Sequence, residues 1–312
     1  MGVALVILAG FATAFLRPAA EPPAPRPARL AVLVVFDQMR GDYLSRWETL
    51  FAEGGFRRLQ TEGAWFQNCH YPYANSVTAA GHASLATGCS PRIHGIVGNE
   101  WYENAANRIV SCVATRRYHL GPTGDQNDPE LRRPMAGGAP ERLLAPTLAD
   151  SLNNATGGSG KVVSLSFKDR SAVLPGGRKP DACCWFDNRA GRFVTSSYYG
   201  DRLPRWVEAF NDRHLADSWF DKTWTRLRAD IDYERYSGPD DAPGEGFGIK
   251  GIGGERQGVA FPHSMRLGLP KPGRSYYDAM YDSPFGNDLL LELAFAGIAG
   301  EQLGQHARPD LL

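Results

Sequence analysis

The chain has no surplus of either charge, since its 34 lysines and arginines balance 34 aspartates and glutamates. A surface field for nucleic acid needs a basic excess, so that class is excluded and any bound anion must be held by a few local groups. A membrane-length hydrophobic run is also missing at the start. The apolar stretch VALVILAGFATAF, residues 3–15, has 13 residues, which as a helix covers about 20 Å of a hydrocarbon core about 30 Å thick. No stable membrane span is expected from it. It suits the apolar region of a secretory signal, with Ala12-Thr13-Ala14 or Pro18-Ala19-Ala20 as candidate cleavage sites, although no basic segment precedes it. The proline-rich EPPAPRPAR follows at residues 21–29. Residues 1–29 are therefore read as a signal-like segment and spacer of a periplasmic or secreted protein, with a plain core strand or helix as the competing reading.

Cysteine is scarce and badly spaced for metal. Cys69, Cys89, Cys112, Cys183 and Cys184 form no CxxC pair and no Cys/His zinc pattern, which excludes a structural zinc site of that kind. One or two disulfides are compatible with an oxidising compartment, but the odd count leaves their pairing open. Histidine offers no HxxxH spacing either, so His70, His94, His119, His214, His263 and His306 are left unassigned. Repeats and low-complexity tracts are absent beyond the proline spacer.

What the chain does have is an α/β texture. Hydrophobic residues at 43% and charged residues at 22% give enough apolar surface for a core, which excludes wholesale disorder. LAVLVVFD, residues 30–37, is a β-branched apolar run ending on a carboxylate, the pattern of a parallel strand buried on both faces. A helix is expected from about Trp47 to Gln60 and a short strand at GAWFQNCHY, residues 63–71. Asn75 or Ser76 can cap a helix running from Ala79 to Thr87 and stopped by Gly88. PTLADSLNN, residues 146–154, reads as a helix, KVVSLSF, residues 161–167, as a second buried strand, and residues 283–304 as a helix with Leu289, Leu293 and Ala296 along one face. RPDLL at the end reads as the start of another strand. Strand and helix alternate as in a mostly parallel sheet flanked by helices. The expected division is a first part of the core over residues 30–179, an inserted cap over 180–280, and a return to the core over 281–312.

Four groups carry candidate chemistry. Asp37 ends a strand, and in open α/β sheets ligands bind at that edge; an Asp in such a place also serves simply as a helix or turn cap. Thr78 stands in or beside the first turn of a helix of small residues, where free N–H groups and the helix dipole favour an alkoxide and an arriving phosphate. Threonine is equally common as a plain cap. Lys168 and Arg170, two apart after a strand, project to one face if the chain stays extended there; Arg offers a planar fork and Lys a point charge to phosphate oxygens. Asn99 is a neutral donor after a glycine turn.

The ordered segments FDQMRGDYL, NSVTAAGHASLATG, HGIVGNEWY, SFKDRSAVLPGG and SPFGNDLLLELA resemble the alkaline phosphatase superfamily, in its branch of threonine-nucleophile phosphate monoesterases related to type I phosphodiesterase/nucleotide pyrophosphatases. The resemblance runs from Leu30 to the last residue. It implies an incomplete alkaline-phosphatase-like core and assigns Asp37 as a zinc ligand, Thr78 as both nucleophile and zinc ligand, and Asn99, Lys168 and Arg170 as contacts to the phosphoryl group. It further implies two zinc ions per complete site, a phospho-threonine intermediate and a small phosphate monoester as substrate. His82, four residues past Thr78, is read as a hydrogen-bonding support rather than a ligand. The family's later Asp and His ligands have no counterpart before Leu312, so the chain is expected to be an N-terminal fragment, weak in zinc binding and feeble in catalysis. A nucleotide phosphodiesterase on the same core and a non-catalytic binding protein are the rival readings.

Overall fold

The computed structural model describes residues 28–121, 138–242 and 257–312; most of the signal-like segment and spacer lies outside them. In chain order, β1 (Leu30–Ala31), α1 (Tyr43–Arg46) and α2 (Arg58–Glu62) lead to α3 (Thr78–Thr87) and the short α4 (Pro91–His94). The hairpin β2 (Glu100–Glu103) and β3 (Arg108–Ser111) is followed by α5 (Leu148–Thr156), β4 (Val163–Ser166), α6 (Asp169–Gly176), β5 (Ala182–Asp187) and β6 (Arg192–Val194). Then come α7 (Arg205–Asp212), β7 (Thr223–Trp224), α8 (Tyr233–Ser237), β8 (His263–Ser264), α9 (Arg274–Tyr281), α10 (Pro284–Gly300) and β9 (Asp310–Leu311).

The main sheet is parallel except at one edge. β4 pairs with β5 in parallel, and β6 returns antiparallel to β5. β9 pairs in parallel with β1, and Leu311 also bridges to Val162 at the start of β4. The strand nearest the chain end therefore sits between β1 and β4. β5 shows why the sheet is central: all six of its residues are buried, and they alternate between two cores as strand geometry requires. Cys184 and Phe186 join Phe193 of β6, Val207, Phe210, Tyr276, Met280, Leu289 and Leu293 on the side of α7, α9 and α10. Cys183 and Trp185 join Val194, Ala79, Ala83, Ala172 and Val173 on the side of α3 and α6. This is the α/β class expected from the sequence, a mostly parallel sheet flanked by helices.

Several local expectations are corrected. The stretch 30–37 pairs only at its start. Beyond Ala31, Leu33 still donates to the Leu312 carbonyl at 2.7 Å, but Val32, Val34 and Phe36 are 53%, 64% and 56% exposed. Elements covering both faces are needed to bury such a run, and among the described residues it lacks that cover. No strand forms at 63–71, where Phe66 is exposed. The helix expected from Trp47 to Gln60 is broken: Gly54 is extended and Gly55 takes φ 70°, ψ −127°, a conformation only glycine adopts readily. β5 and β6 lie past the expected boundary at residue 180 and yet belong to the sheet, β5 pairing with β4 and β6 with β5. No disulfide forms, and Cys112, Cys183 and Cys184 are buried thiols whose burial pushes their pKa values up, to about 12 for Cys112 and Cys184. α5, α10 and β4 form close to where the sequence places them, α5 beginning at a reciprocal Thr147–Asp150 capping box.

Asp310 secures β9. Its fully buried carboxylate accepts Lys161 N–H at 2.8 Å on one oxygen, and Gly304 N–H at 2.6 Å and His306 Nδ1 at 2.8 Å on the other. Removing it strands two backbone donors. Asp310→Ala is expected to cost about 3 kcal/mol of unfolding free energy; a urea-denaturation difference below about 1 kcal/mol contradicts this role.

Candidate active site

α3 begins at Thr78, with Val77 as its extended N-cap and no side-chain cap bond. The sequence assigned that cap to Asn75 or Ser76. Asn75 instead donates Nδ2–H to the Val97 carbonyl at 2.7 Å, tying the α3 entry to the loop that carries Asn99. Asn99 serves the helix end in place of a cap: its Oδ1 accepts Ala79 N–H at 2.9 Å. Its own carbonyl accepts Cys112 N–H at 2.9 Å, which holds it at the start of the β2–β3 hairpin. The helix closes on Gly88, a left-handed residue at φ 66° whose N–H returns to Ser84. Ala79, Ala80 and Ala83 are fully buried, and the first and last of them share a core with Ala172 and Val173 of α6. These small side chains let the two helix starts approach.

The reacting groups converge on one oxygen. Asp37 Oδ2 accepts the Thr78 hydroxyl at 3.1 Å and the Lys168 ammonium at 2.7 Å, joining residues 41 and 131 positions from Asp37 in the chain. Partial burial works against the Asp37 charge, but the hydrogen bond and charge of Lys168, with the Thr78 hydroxyl, outweigh it and hold the carboxyl below its ordinary range. A carboxylate held that low is a poor proton acceptor at neutral pH. Asp37 therefore fixes negative charge beside the hydroxyl and orients it.

Lys168 and Arg170 do not lie on an extended chain. β4 stops at Ser166, Lys168 is the N-cap of α6, and Arg170 is in its first turn. Lys168 reaches Asp37 and lies 5.9 Å from the Tyr281 ring centroid. Arg170 makes no hydrogen bond to Asp37, Thr78 or Asn99. Its guanidinium is 3.7 Å from Asp169, and its Nε is buried without a hydrogen-bond partner. The charge of Arg170 acts on both His82 and Tyr281, so it stands within the same electrostatic neighbourhood. His82 supports the first turn of α3, its Nδ1–H donating to the Thr78 carbonyl at 2.8 Å. Sequence reasoning missed Tyr281 and the linking role of Asn75. Tyr281 ends α9 among other aromatic residues with no spacing that marks it, whereas Asn75 was visible but is equally at home as a cap.

Asp37 Oδ2 and Thr78 Oγ1, 3.1 Å apart, suit two ligands of one tetrahedral zinc ion, whose edge is about 3.3 Å for bonds of about 2.0 Å. Among the described residues no group of three or more His, Cys, Asp or Glu side chains gathers to complete a metal shell.

Together these features define an alkaline-phosphatase-like α/β protein with a threonine hydroxyl at the open edge of its sheet. Residues 31–239 match the family described as type I phosphodiesterase / nucleotide pyrophosphatase, and the chain belongs to that family, within the alkaline phosphatase superfamily. It is 36% identical over 288 residues to alkaline phosphatase PafA of Elizabethkingia meningoseptica, covering 92% of this chain and 50% of that protein. It is also 36% identical over 297 residues to alkaline phosphatase PhoV of Synechococcus elongatus, with 95% and 51% covered. A protein of Myroides odoratus named calcium-transporting ATPase is 33% identical over 282 residues, with 89% and 48% covered. The crystal structure of PafA superposes with a TM-score of 0.80 at 33% identity over 93% of this chain and 52% of that one. The chain spans about half the length of these relatives.

Two imidazoles beneath the site generate a pH prediction. Burial lowers the pKa of His82 and of His94 from the ordinary 6.5; His94 is fully committed, accepting Ile96 N–H on Nδ1 at 3.1 Å and contacting Ser84 Oγ through Nε2 at 3.0 Å. The unfolded chain then binds more protons than the folded one as pH falls through 6.5, so this contribution to stability is complete above that pH and lost below it. NMR titration should give both imidazoles pKa values under 6.5; values above it contradict the burial account.

Proposed function

We propose that the protein hydrolyses phosphate monoesters through a phospho-threonine intermediate on Thr78, with zinc as cofactor. The observation that carries this reading is the convergence of the Thr78 hydroxyl, the Asp37 carboxylate and the Lys168 ammonium on one oxygen. Asp37 and Thr78 are the residues of this chain that would hold zinc. The ion, when bound, supplies the Lewis acidity and the lowered hydroxyl pKa that Asp37 alone cannot provide.

In this reading Thr78 Oγ1 forms a bond to phosphorus as the ester P–O bond breaks, and the leaving oxygen departs as an alcohol after taking a proton. Water then attacks phosphorus, the Oγ1–P bond breaks, and phosphate and the free hydroxyl are released. The N-terminal N–H groups of α3, with the amide of Asn99, orient the equatorial oxygens. Lys168 exchanges Asp37 for a substrate oxygen, and Arg170 contributes its unpartnered Nε edge. A dianionic monoester carries more charge than a diester, and this local pair of cations matches it in a chain of zero net charge. The names of two relatives as alkaline phosphatases support the same reading. Export to the periplasm or the exterior is part of the proposal, carried by the N-terminal apolar stretch and spacer; among the described residues no helix is long and apolar enough to cross a membrane.

The discriminating experiment uses the protein at the length of its relatives and compares an aryl phosphate, the corresponding aryl nucleotide diester and ATP. Lys168→Ala is expected to lower kcat/KM for the monoester by about 100-fold, as for loss of one charge-assisted contact, and for the diester by less than about 10-fold. Equal losses for the two contradict monoester specificity. A wild-type preference for the diester favours the phosphodiesterase reading, and zinc-free, inactive protein favours a binding role.

A further inference from the structure

The Lys168 side chain meets two groups of different kinds. Its ammonium donates to Asp37 Oδ2 at 2.7 Å, and it also stands over the Tyr281 ring, 5.9 Å from the centroid, within the roughly 6 Å over which a ring face attracts a cation. The Lys168 side chain is only 21% exposed, so water does not fully screen either attraction. Tyr281 differs from its neighbours on α9. The hydroxyls of Tyr276 and Tyr277 donate to Ala216 and Asp217, whereas that of Tyr281 makes no hydrogen bond among the described residues. The ring, rather than the hydroxyl, is what its surroundings hold.

Packing fixes that ring. Tyr281 ends α9, and the Phe167 ring meets it edge to face at 5.8 Å and 70°. Phe167 precedes Lys168 in the chain and packs in turn on Phe186 at 4.9 Å and on Phe193 at 5.8 Å, both buried in the core on the side of α7, α9 and α10. The start of α10 comes equally close: a side-chain carbon at Gly286 would stand 2.9 Å from the Met280 carbonyl and 3.5 Å from the Phe167 ring. The corner between α9 and α10 is thereby seated on the junction between β4 and α6 that carries Lys168. The Tyr281 ring cannot leave without unpacking Phe167.

We propose that Tyr281 is a positioning residue for phosphoryl transfer, its ring face holding the Lys168 ammonium in place when that ammonium leaves Asp37 for a phosphate oxygen. The proposal rests on the monoester reading of the Thr78 site. The chemistry of a ring suits such a hand-over. A second carboxylate in its position would occupy N–H donors of the ammonium and compete with phosphate for them. A ring face attracts the charge through its quadrupole and leaves the three N–H donors to oxygen acceptors. A plain aliphatic wall would let the flexible four-carbon stem swing once Asp37 is given up. Burial, against the pull of Arg170, holds the Tyr281 phenol above its ordinary range, so the ring faces Lys168 as a neutral group in alkaline as well as neutral solution.

The test uses the protein at the length of its relatives, with the aryl phosphate and the aryl nucleotide diester as substrates. Tyr281→Leu is expected to lower kcat/KM for the monoester about tenfold, the size of one partly desolvated cation–π contact, and for the diester by less than about twofold. Tyr281→Phe, which restores the ring without the hydroxyl, should recover most of that loss. In a Lys168→Ala background Tyr281→Leu should cost nothing further, because its effect passes through the ammonium. Pentafluorophenylalanine at position 281 keeps the shape of the ring but reverses its quadrupole; it should lose as much as Leu, and it reads the same interaction should Leu disturb folding. A loss in Tyr281→Phe as large as in Tyr281→Leu, an undiminished cost of Tyr281→Leu in the Lys168→Ala background, or a pentafluorinated ring as active as Phe overturns the positioning role. Lys168→Ala that leaves monoester turnover unchanged overturns the monoester reading and this role together, whereas a large Lys168→Ala loss beside a harmless pentafluorinated ring overturns the role alone.

Discussion

A single carboxylate oxygen holds the candidate site together. Asp37 Oδ2 takes both the Thr78 hydroxyl and the Lys168 ammonium, and these three residues come from a turn beyond β1, a helix start and a strand-to-helix junction. Without Asp37, a hydroxyl and a cation would face each other with no acceptor between them. With it, the hydroxyl is oriented, the cation is held within reach of an incoming anion, and the negative charge is locked in place by its depressed pKa.

The fold delivers these groups to one edge through packing. β5 is buried on both faces, with α7, α9 and α10 against one side and α3 and α6 against the other. The alanines of α3 and α6 meet in that second core, which brings the N-terminus of one helix beside the N-terminus of the other. Both helix dipoles then point positive ends toward the place where phosphate charge would lie. Arg170 stands in the first turn of α6, Asn99 meets the start of α3 from the loop before β2, and the Tyr281 ring lies 5.9 Å from Lys168 Nζ.

How much of this was legible follows from the physics of each segment. β4, α5 and α10 announce themselves because their periodicity, caps and stops agree locally. Asp37, Thr78, Asn99 and Lys168 could be named in advance because family resemblance linked five weak signals; no one of them separates chemistry from ordinary capping. β5 was hidden because ACCWFD has no β-branched run, and its identity as a strand comes from neighbours on both faces. The 30–37 run was read as a buried strand, whereas only Leu30–Ala31 pair as one, and burial of the rest depends on what covers it. The break at Gly54-Gly55, the use of Asn99 as a substitute cap and the position of Lys168 at a helix N-cap all depend on tertiary contacts that spacing alone does not encode.

The account turns on Thr78 Oγ1 becoming the atom that bonds to phosphorus. Rapid acid quench of the protein at the length of its relatives, during turnover of a phosphate monoester, followed by peptide mass spectrometry, tests this directly. Phosphate on the peptide containing Thr78, and its disappearance in Thr78→Ala, is the result expected. Turnover with no phosphorylated Thr78, or phosphate on another residue that persists in Thr78→Ala, contradicts it.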